Sequence, residues 1–172
     1  RDISKPKGSK KRSQRILEKD WKKIKTELAK CRNPNFVIIS ELAIETAMRQ
    51  GELMTLTWGS IDIKSKHKHA LIKGKDTTGK ETEGKERIVP LSVRAVELLR
   101  SLPRHIDSSV PIFQAIYSTS ADGLSRAFKA ACKAAGLPAA RFHDTRHEAA
   151  SRMAQHFDMQ HLMKIGGWDT AS

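Results

Sequence analysis

The chain reads as a mostly α-helical domain with one small antiparallel β-sheet, an α+β arrangement. Three observations predict it. Apolar residues recur at three- and four-residue spacing, as in Leu17, Trp21, Ile24 and Leu28 or Ala95, Leu98, Leu99 and Leu102, which is the period of an amphipathic helix. The period changes only in the first half. There Ala70-Leu71-Ile72 and Arg87-Ile88-Val89 flank a polar stretch from Asp76 to Gly84, the pattern of a hairpin with a long loop. Finally, the 172 residues suffice for one domain with a real core, and the 38% that are hydrophobic are patterned rather than dispersed, which argues against disorder.

Residues 1–15 hold Lys5, Lys7, Lys10, Lys11, Arg12 and Arg15 with Pro6 and Gly8, a basic linker or arm. The folded domain is expected over 16–172. A first helix carries Leu17, Trp21, Ile24 and Leu28 and ends near Asn33-Pro34. A second, apolar helix runs from about Phe36 to Met48. Gly51 interrupts it, and a short helical turn covers Glu52 to Trp58. After the hairpin, closed by Pro90, Ser92 can cap a helix through Leu102. Asp122 or Ser120 can cap the next, Leu124 to Ala135, which Gly136 and Pro138 end. A further helix begins at His143 with Asp144 as N-cap, and Asp158 starts a last short helix ending at Gly166-Gly167.

Composition narrows the function. Thirty-two Lys and Arg against 19 Asp and Glu give +13, a balance that points to a polyanion, most often nucleic acid. Cys31 and Cys132 form no C-x-x-C pair and no disulfide framework. They read as buried thiols in a reducing cytoplasm. No apolar run approaches a membrane span and no signal peptide is visible. The chain begins with Arg1 rather than Met, as a piece of a longer protein would.

Four constellations carry chemistry. The stretch His143-Asp144-Thr145-Arg146-His147 sets two histidines and an arginine at a helix start. Free backbone N–H groups and the helix dipole favour an anion there. The guanidinium suits phosphate oxygens, and an imidazole can move a proton near pH 7. Arg49 stands at the end of an apolar helix with Glu52 three residues on, close enough to orient it. Lys73, Lys75, Lys80 and Lys85 crowd the hairpin, where a lysine can reach a DNA backbone or donate a proton. Trp168 follows two glycines, as a core plug or an indole donor. A metal hydrolase would need more than the His67/His69 and His143/His147 pairs, since no carboxylate sits in a spacing such as H-E-x-x-H. Neither metal nor cofactor is expected.

In the order Arg, Lys, His-x-x-Arg, Trp, the chain resembles the tyrosine recombinase, or phage integrase, family from about Ile16 to Ser172. The resemblance is carried by Thr46-Ala47-Met48-Arg49-Gln50-Gly51-Glu52-Leu53, Trp58-Gly59-Ser60-Ile61-Asp62, Arg87-Ile88-Val89-Pro90-Leu91 and His143-Asp144-Thr145-Arg146-His147. It implies the catalytic-domain fold of that family and site-specific DNA recombination through a 3′-phosphotyrosine. Arg49 and Arg146 would clamp the scissile phosphate, and His143 would take or position the nucleophile's proton. A hairpin lysine would protonate the leaving oxygen: Lys75, with Lys73 second. Trp168 would bind through its indole N–H. Glu52 would brace Arg49, and His147 would support the site. Double-stranded DNA and a homo-oligomer on DNA, a tetramer in the family, are the implied partners, with a monomer expected alone. The family's tyrosine falls nine positions after Trp168, at 177, so a chain ending at Ser172 would lack its last helix and its nucleophile. Tyr117, the only tyrosine, matches nothing in the pattern and reads as structural. The alternative is a non-enzymatic DNA-binding module derived from an integrase.

Overall fold

The computed structural model describes residues 15–73, 86–114 and 118–168. Lys75, the loop Asp76 to Gly84, Tyr117 and the arm up to Gln14 lie outside those residues. Among the described residues run α1 (Glu18–Leu28), α2 (Asn35–Thr46), α3 (Gln50–Met54) and a 3-10 turn (Trp58–Ser60). The sheet follows, with β1 (Ile61–Asp62), β2 (His69–Ile72) and β3 (Arg87–Pro90). The chain then forms α4 (Val93–Arg100), α5 (Ala121–Ala134), α6 (His143–Met153) and α7 (Met159–Gly166). The mostly α expectation with one small antiparallel sheet holds.

Helix α2 is the centre. Its sequence is apolar on almost every side, and Ile39, Leu42, Ala43 and Ile44 are all buried, as a core helix requires. It packs along α6 and against α4, while α1 lies on α5. Phe113, Phe128, Ile24, Leu28 and Leu124 fill the space between them with essentially no exposure, and Phe142 meets Phe128 edge-on at 5.4 Å. The sheet lies to one side in the order β1-β2-β3, with Ala70 opposite Val89 and Ile72 opposite Arg87. That register turns Ala70, Ile72 and Val89 into the core and leaves Leu71 and Ile88 facing outward, as a strand period of two dictates.

The structure departs from the sequence reading in five places. Strand β1 was not foreseen. It is two residues long, and its pairing of Ile61 with Ala70 is a tertiary event. Just before α1, Ile16 is fully buried while Leu17, at the N-cap, is exposed. Helix α2 ends at Thr46, just short of the expected Met48, because Ala47 turns left-handed (φ 54°), and Gly51 lies inside α3 rather than interrupting a helix. Asp144 is not the cap of α6. Phe142 holds that position, and Asp144, one residue inside the helix, accepts the Arg141 N–H at 2.8 Å. Cys31 is only partly covered, while Cys132 is buried and its thiol is pushed up to about 12 by burial and by Asp144. The other caps are Ser92, Ser120 and Asp158, which accept from Ala95, Gly123 and His161. Ser120 thereby resolves the choice left open with Asp122.

Candidate active site

Three element ends meet at one place: the C-terminus of α2, the N-terminus of α6 and the C-terminus of α7. A helix C-terminus presents unpaired carbonyls and the negative end of its dipole, and so attracts a cation. Arg146, in the first turn of α6, takes both ends at once. One Nη donates to the Ala47 carbonyl that closes α2, the other to the Gly166 carbonyl that ends α7. The residue is 4% exposed. Its guanidinium also lies over the Trp168 ring at 4.5 Å, a favourable face for a desolvated cation. Burial, then the nearby Arg49 charge, pulls Arg146 down to about 10, which leaves it charged at neutral pH. Among the described residues no carboxylate pairs with it. Its charge is held by dipoles and a ring, so it stays unneutralised.

Arg49 is held differently. Ala47 and Met48 turn the chain between α2 and α3, and Arg49 becomes the N-cap of α3. Glu52 sits at the third helical position and accepts the Arg49 backbone N–H at 2.7 Å and its Nη1 at 3.0 Å. The other Nη donates to the Gly167 carbonyl at 2.6 Å. The bracing that the spacing suggested is present, but Glu52 has a second partner. Arg87 at the start of β3 grips both carboxylate oxygens, at 2.9 and 2.6 Å. Burial raises the Glu52 carboxyl, but the hydrogen bonds and charge of Arg87 and the hydrogen bonds of Arg49 outweigh it and hold the group below its ordinary value.

The two glycines before Trp168 are required by the packing. A Cβ on Gly166 would stand 2.0 Å from the Trp168 ring. Gly167 has φ +64° and lies 3.3 Å, at its would-be Cβ, from the side chains of both Arg49 and Arg87. So Gly166 lets the indole fold over Arg146, and Gly167 turns its carbonyl to Arg49. These backbone roles, and that of Arg87, were missed by the sequence reading. The Gly166-Gly167 pair was the available signal.

His143, the first residue of α6, is at the rim. It lines a small cleft of about 40 Å³ with Met48, Arg49, Gln50, Phe142, Thr145 and Arg146. Such a space suits a phosphate oxygen or a few waters, not a base. His147 stands edge-on to His143 at 5.0 Å. Desolvation, then the His147 and Arg146 charges, lowers His143 below its ordinary value, favouring the neutral ring. Among the described residues no three His, Cys, Asp or Glu side chains gather as a metal would need. Arg49, His143, Arg146 and Trp168 thus come together, with Glu52 and His147 beside them. Lys75 lies outside the described residues. Lys73 follows β2 and lines a larger cleft of about 430 Å³ with Glu52, Thr55 and Leu71.

Comparison with known proteins shows the class to which this sequence and fold belong. The model of the phage integrase family matches residues 7–172. The chain belongs to the phage integrase family. It is similar to the shufflon-specific DNA recombinase of Escherichia coli, 32% identical over 150 residues, covering 87% of this chain and 35% of that protein. A putative integrase/recombinase of Haemophilus influenzae is 31% identical over 173 residues, covering 96% of this chain and 52% of that one. The chain therefore spans about a third to a half of the length of these curated relatives. Among solved structures it is similar to the catalytic domain of bacteriophage HP1 integrase. That match has a TM-score of 0.65 and 25% identity over 91% of this chain and 81% of that one. The fold is also that of lambda integrase, solved as a dimer bound to a core site. There the TM-score is 0.72, at 21% identity over 97% of this chain and 62% of that one. Among the described residues no helix is long and apolar enough to cross a membrane.

Proposed function

We propose that residues 16–172 are the catalytic domain of a tyrosine-type site-specific DNA recombinase, joined to residues 1–15 as a basic linker. One observation carries the reading: two guanidiniums, Arg49 and Arg146, enter one small cleft with charge in excess of the carboxylate beside them. Phosphoryl transfer needs fixed cations around the charge that builds on the phosphorus more than it needs covalent help from the protein. Arg146, buried and locked, supplies a preorganised charge. Arg49, more exposed, closes on the other non-bridging oxygen. Neutral His143 at the rim accepts or steers the proton of the attacking hydroxyl. Trp168 packs Arg146 in place and excludes water. A hairpin lysine, Lys75 or Lys73, protonates the leaving 5′ oxygen. The nucleophile is a tyrosine at position 177. It forms a 3′-phosphotyrosine and releases a 5′ hydroxyl, which later attacks to reseal the strand, so the phosphodiester energy is conserved without metal or ATP.

The partner is duplex DNA in the cytoplasm, bound by a monomer that assembles into a homo-oligomer on DNA. The +13 charge and the dimer on DNA seen for lambda integrase support this. The test is a covalent-adduct gel with a nicked duplex. A chain continued past Ser172 to a tyrosine at 177 gives a protease-sensitive, slow band, and changing that tyrosine to Phe removes it. Arg146→Ala lowers the band far more than DNA binding, because its charge counts most as the phosphorane forms. The 172-residue chain gives no band. A band from that chain with attachment at Tyr117 would overturn the reading.

A further inference from the structure

Arg87 opens β3, and the chemistry proposed above gives it no part beyond its grip on Glu52. Its side chain is 11% exposed, against 48% for Arg49. All three of its nitrogens donate within the protein: Nη1 and Nη2 to the two oxygens of Glu52, and Nε to the Ile165 carbonyl at 2.9 Å. Arg49 reaches the same carboxylate side-on, through one nitrogen at 3.0 Å. Two guanidiniums therefore contend for one carboxylate, and the buried, bidentate one holds it. Bidentate pairing is the stronger arrangement. Glu52 is thus balanced by Arg87, and the charge of Arg49 stays directed at the cleft. With Arg87 replaced by a neutral side chain, Glu52 would close on Arg49, three residues away, and draw that charge out of the cleft.

Arg87 also fixes the other support of Arg49. Its Nε bond holds the end of α7 at Ile165, two residues before the Gly167 carbonyl that accepts from Arg49. Gly167 itself is packed between the two guanidiniums.

We infer that Arg87 is a positioning residue: by holding both oxygens of Glu52, it keeps the Arg49 guanidinium turned towards the cleft and available to a phosphate. The inference rests on the reading of Arg49 and Arg146 as a phosphate clamp. Direct contact of Arg87 with the phosphate is disfavoured by its burial and by its three committed nitrogens.

The experiment uses the 172-residue chain and inorganic phosphate, followed through the side-chain Nε–H signals of Arg49 and Arg146 by NMR. Arg87→Gln weakens phosphate binding roughly tenfold, as expected when one charge-assisted hydrogen bond to the anion is removed. The double variant Arg87→Gln with Glu52→Gln recovers affinity to within about threefold of the wild type, because no carboxylate remains to capture Arg49. If Arg87→Gln alone fails to fold, the double variant, which leaves no unpaired buried charge, decides by itself. Affinity near wild type supports the inference. A double variant still roughly tenfold weak makes Arg87 a phosphate ligand or a purely structural residue and overturns it. An unchanged affinity in Arg87→Gln overturns it too. Arg49→Ala is the control for the underlying reading. If that variant binds phosphate as well as the wild type, the clamp itself is wrong, whatever Arg87 does.

Discussion

Buried Glu41 and half-buried Glu52 each face two cations, and they behave as opposites. Glu41, on α2, ties helices together: Oε2 accepts from Lys25 of α1 at 2.8 Å and Oε1 from Arg94 of α4 at 2.8 Å. Arg94 pairs again with Glu97. Both cations are substantially exposed and the charges are matched. Glu52 faces Arg49 and Arg87, with Arg146 close by and unpaired with any described carboxylate. Here positive charge is in excess and points into a cleft. The first cluster has the form of a structural tie, the second of a site waiting for an anion. The difference lies in the uncompensated charge and in which cation can return to water.

That last point gives the largest expected effect. Glu52→Ala leaves Arg87 buried and unpaired, and destabilises the fold by about 3–5 kcal/mol. Glu41→Ala leaves two cations that can hydrate, and costs about 1 kcal/mol. Urea denaturation of the two variants measures both. Equal losses would erase the distinction between the clusters.

A smaller effect tests the packing of the excess charge. Gly166→Ala drives a methyl group into the Trp168 ring, so it destabilises by about 1–3 kcal/mol and displaces the indole. The Trp168 fluorescence should shift and the binding of duplex DNA should weaken. A variant with unchanged fluorescence would mean the ring does not lie over Arg146.

The smallest effect is in pH. His143 has its folded value below the ordinary 6.5. The unfolded chain therefore takes up that proton first as pH falls. The contribution to stability is complete above 6.5 and is lost as pH drops through the lowered folded value. Glu52, also depressed from its ordinary 4.5, adds a second loss further down, below that value. Thermal melts from pH 8 to 3 should decline in these two stages, and His143→Asn should remove only the first. A melting temperature that rises as pH falls from 6.5 would reverse the sign.

Much of this was legible in the sequence. Arg49 with Glu52, and His143 with Arg146, are three residues apart, so a single helical turn determines their proximity. The helices of 3.6 period and the hairpin likewise declare themselves locally. What escaped was long-range or carried by the backbone. Arg87 meets Glu52 across 35 positions and Ile165 across 78. The Ala47 and Gly166 carbonyls that hold Arg146 carry no side-chain signature at all. Strand β1 is too short to show a period. The end of α2 at Ala47 rather than Met48 was hidden because alanine is a helix former. The left-handed turn at Ala47 precedes Arg49, the cap of α3, and the Ala47 carbonyl accepts from Arg146.

The central claim is that Arg49 and Arg146 serve one anion. The most direct test titrates sulfate into the wild-type chain while the Nε–H signals of Arg49, Arg146 and Arg94 are followed together. The account predicts that Arg49 and Arg146 shift along one saturable curve with a single Kd, while Arg94, whose charge Glu41 and Glu97 already balance, drifts only with ionic strength. Separate curves for Arg49 and Arg146, or a curve for Arg94 identical to theirs, would contradict it.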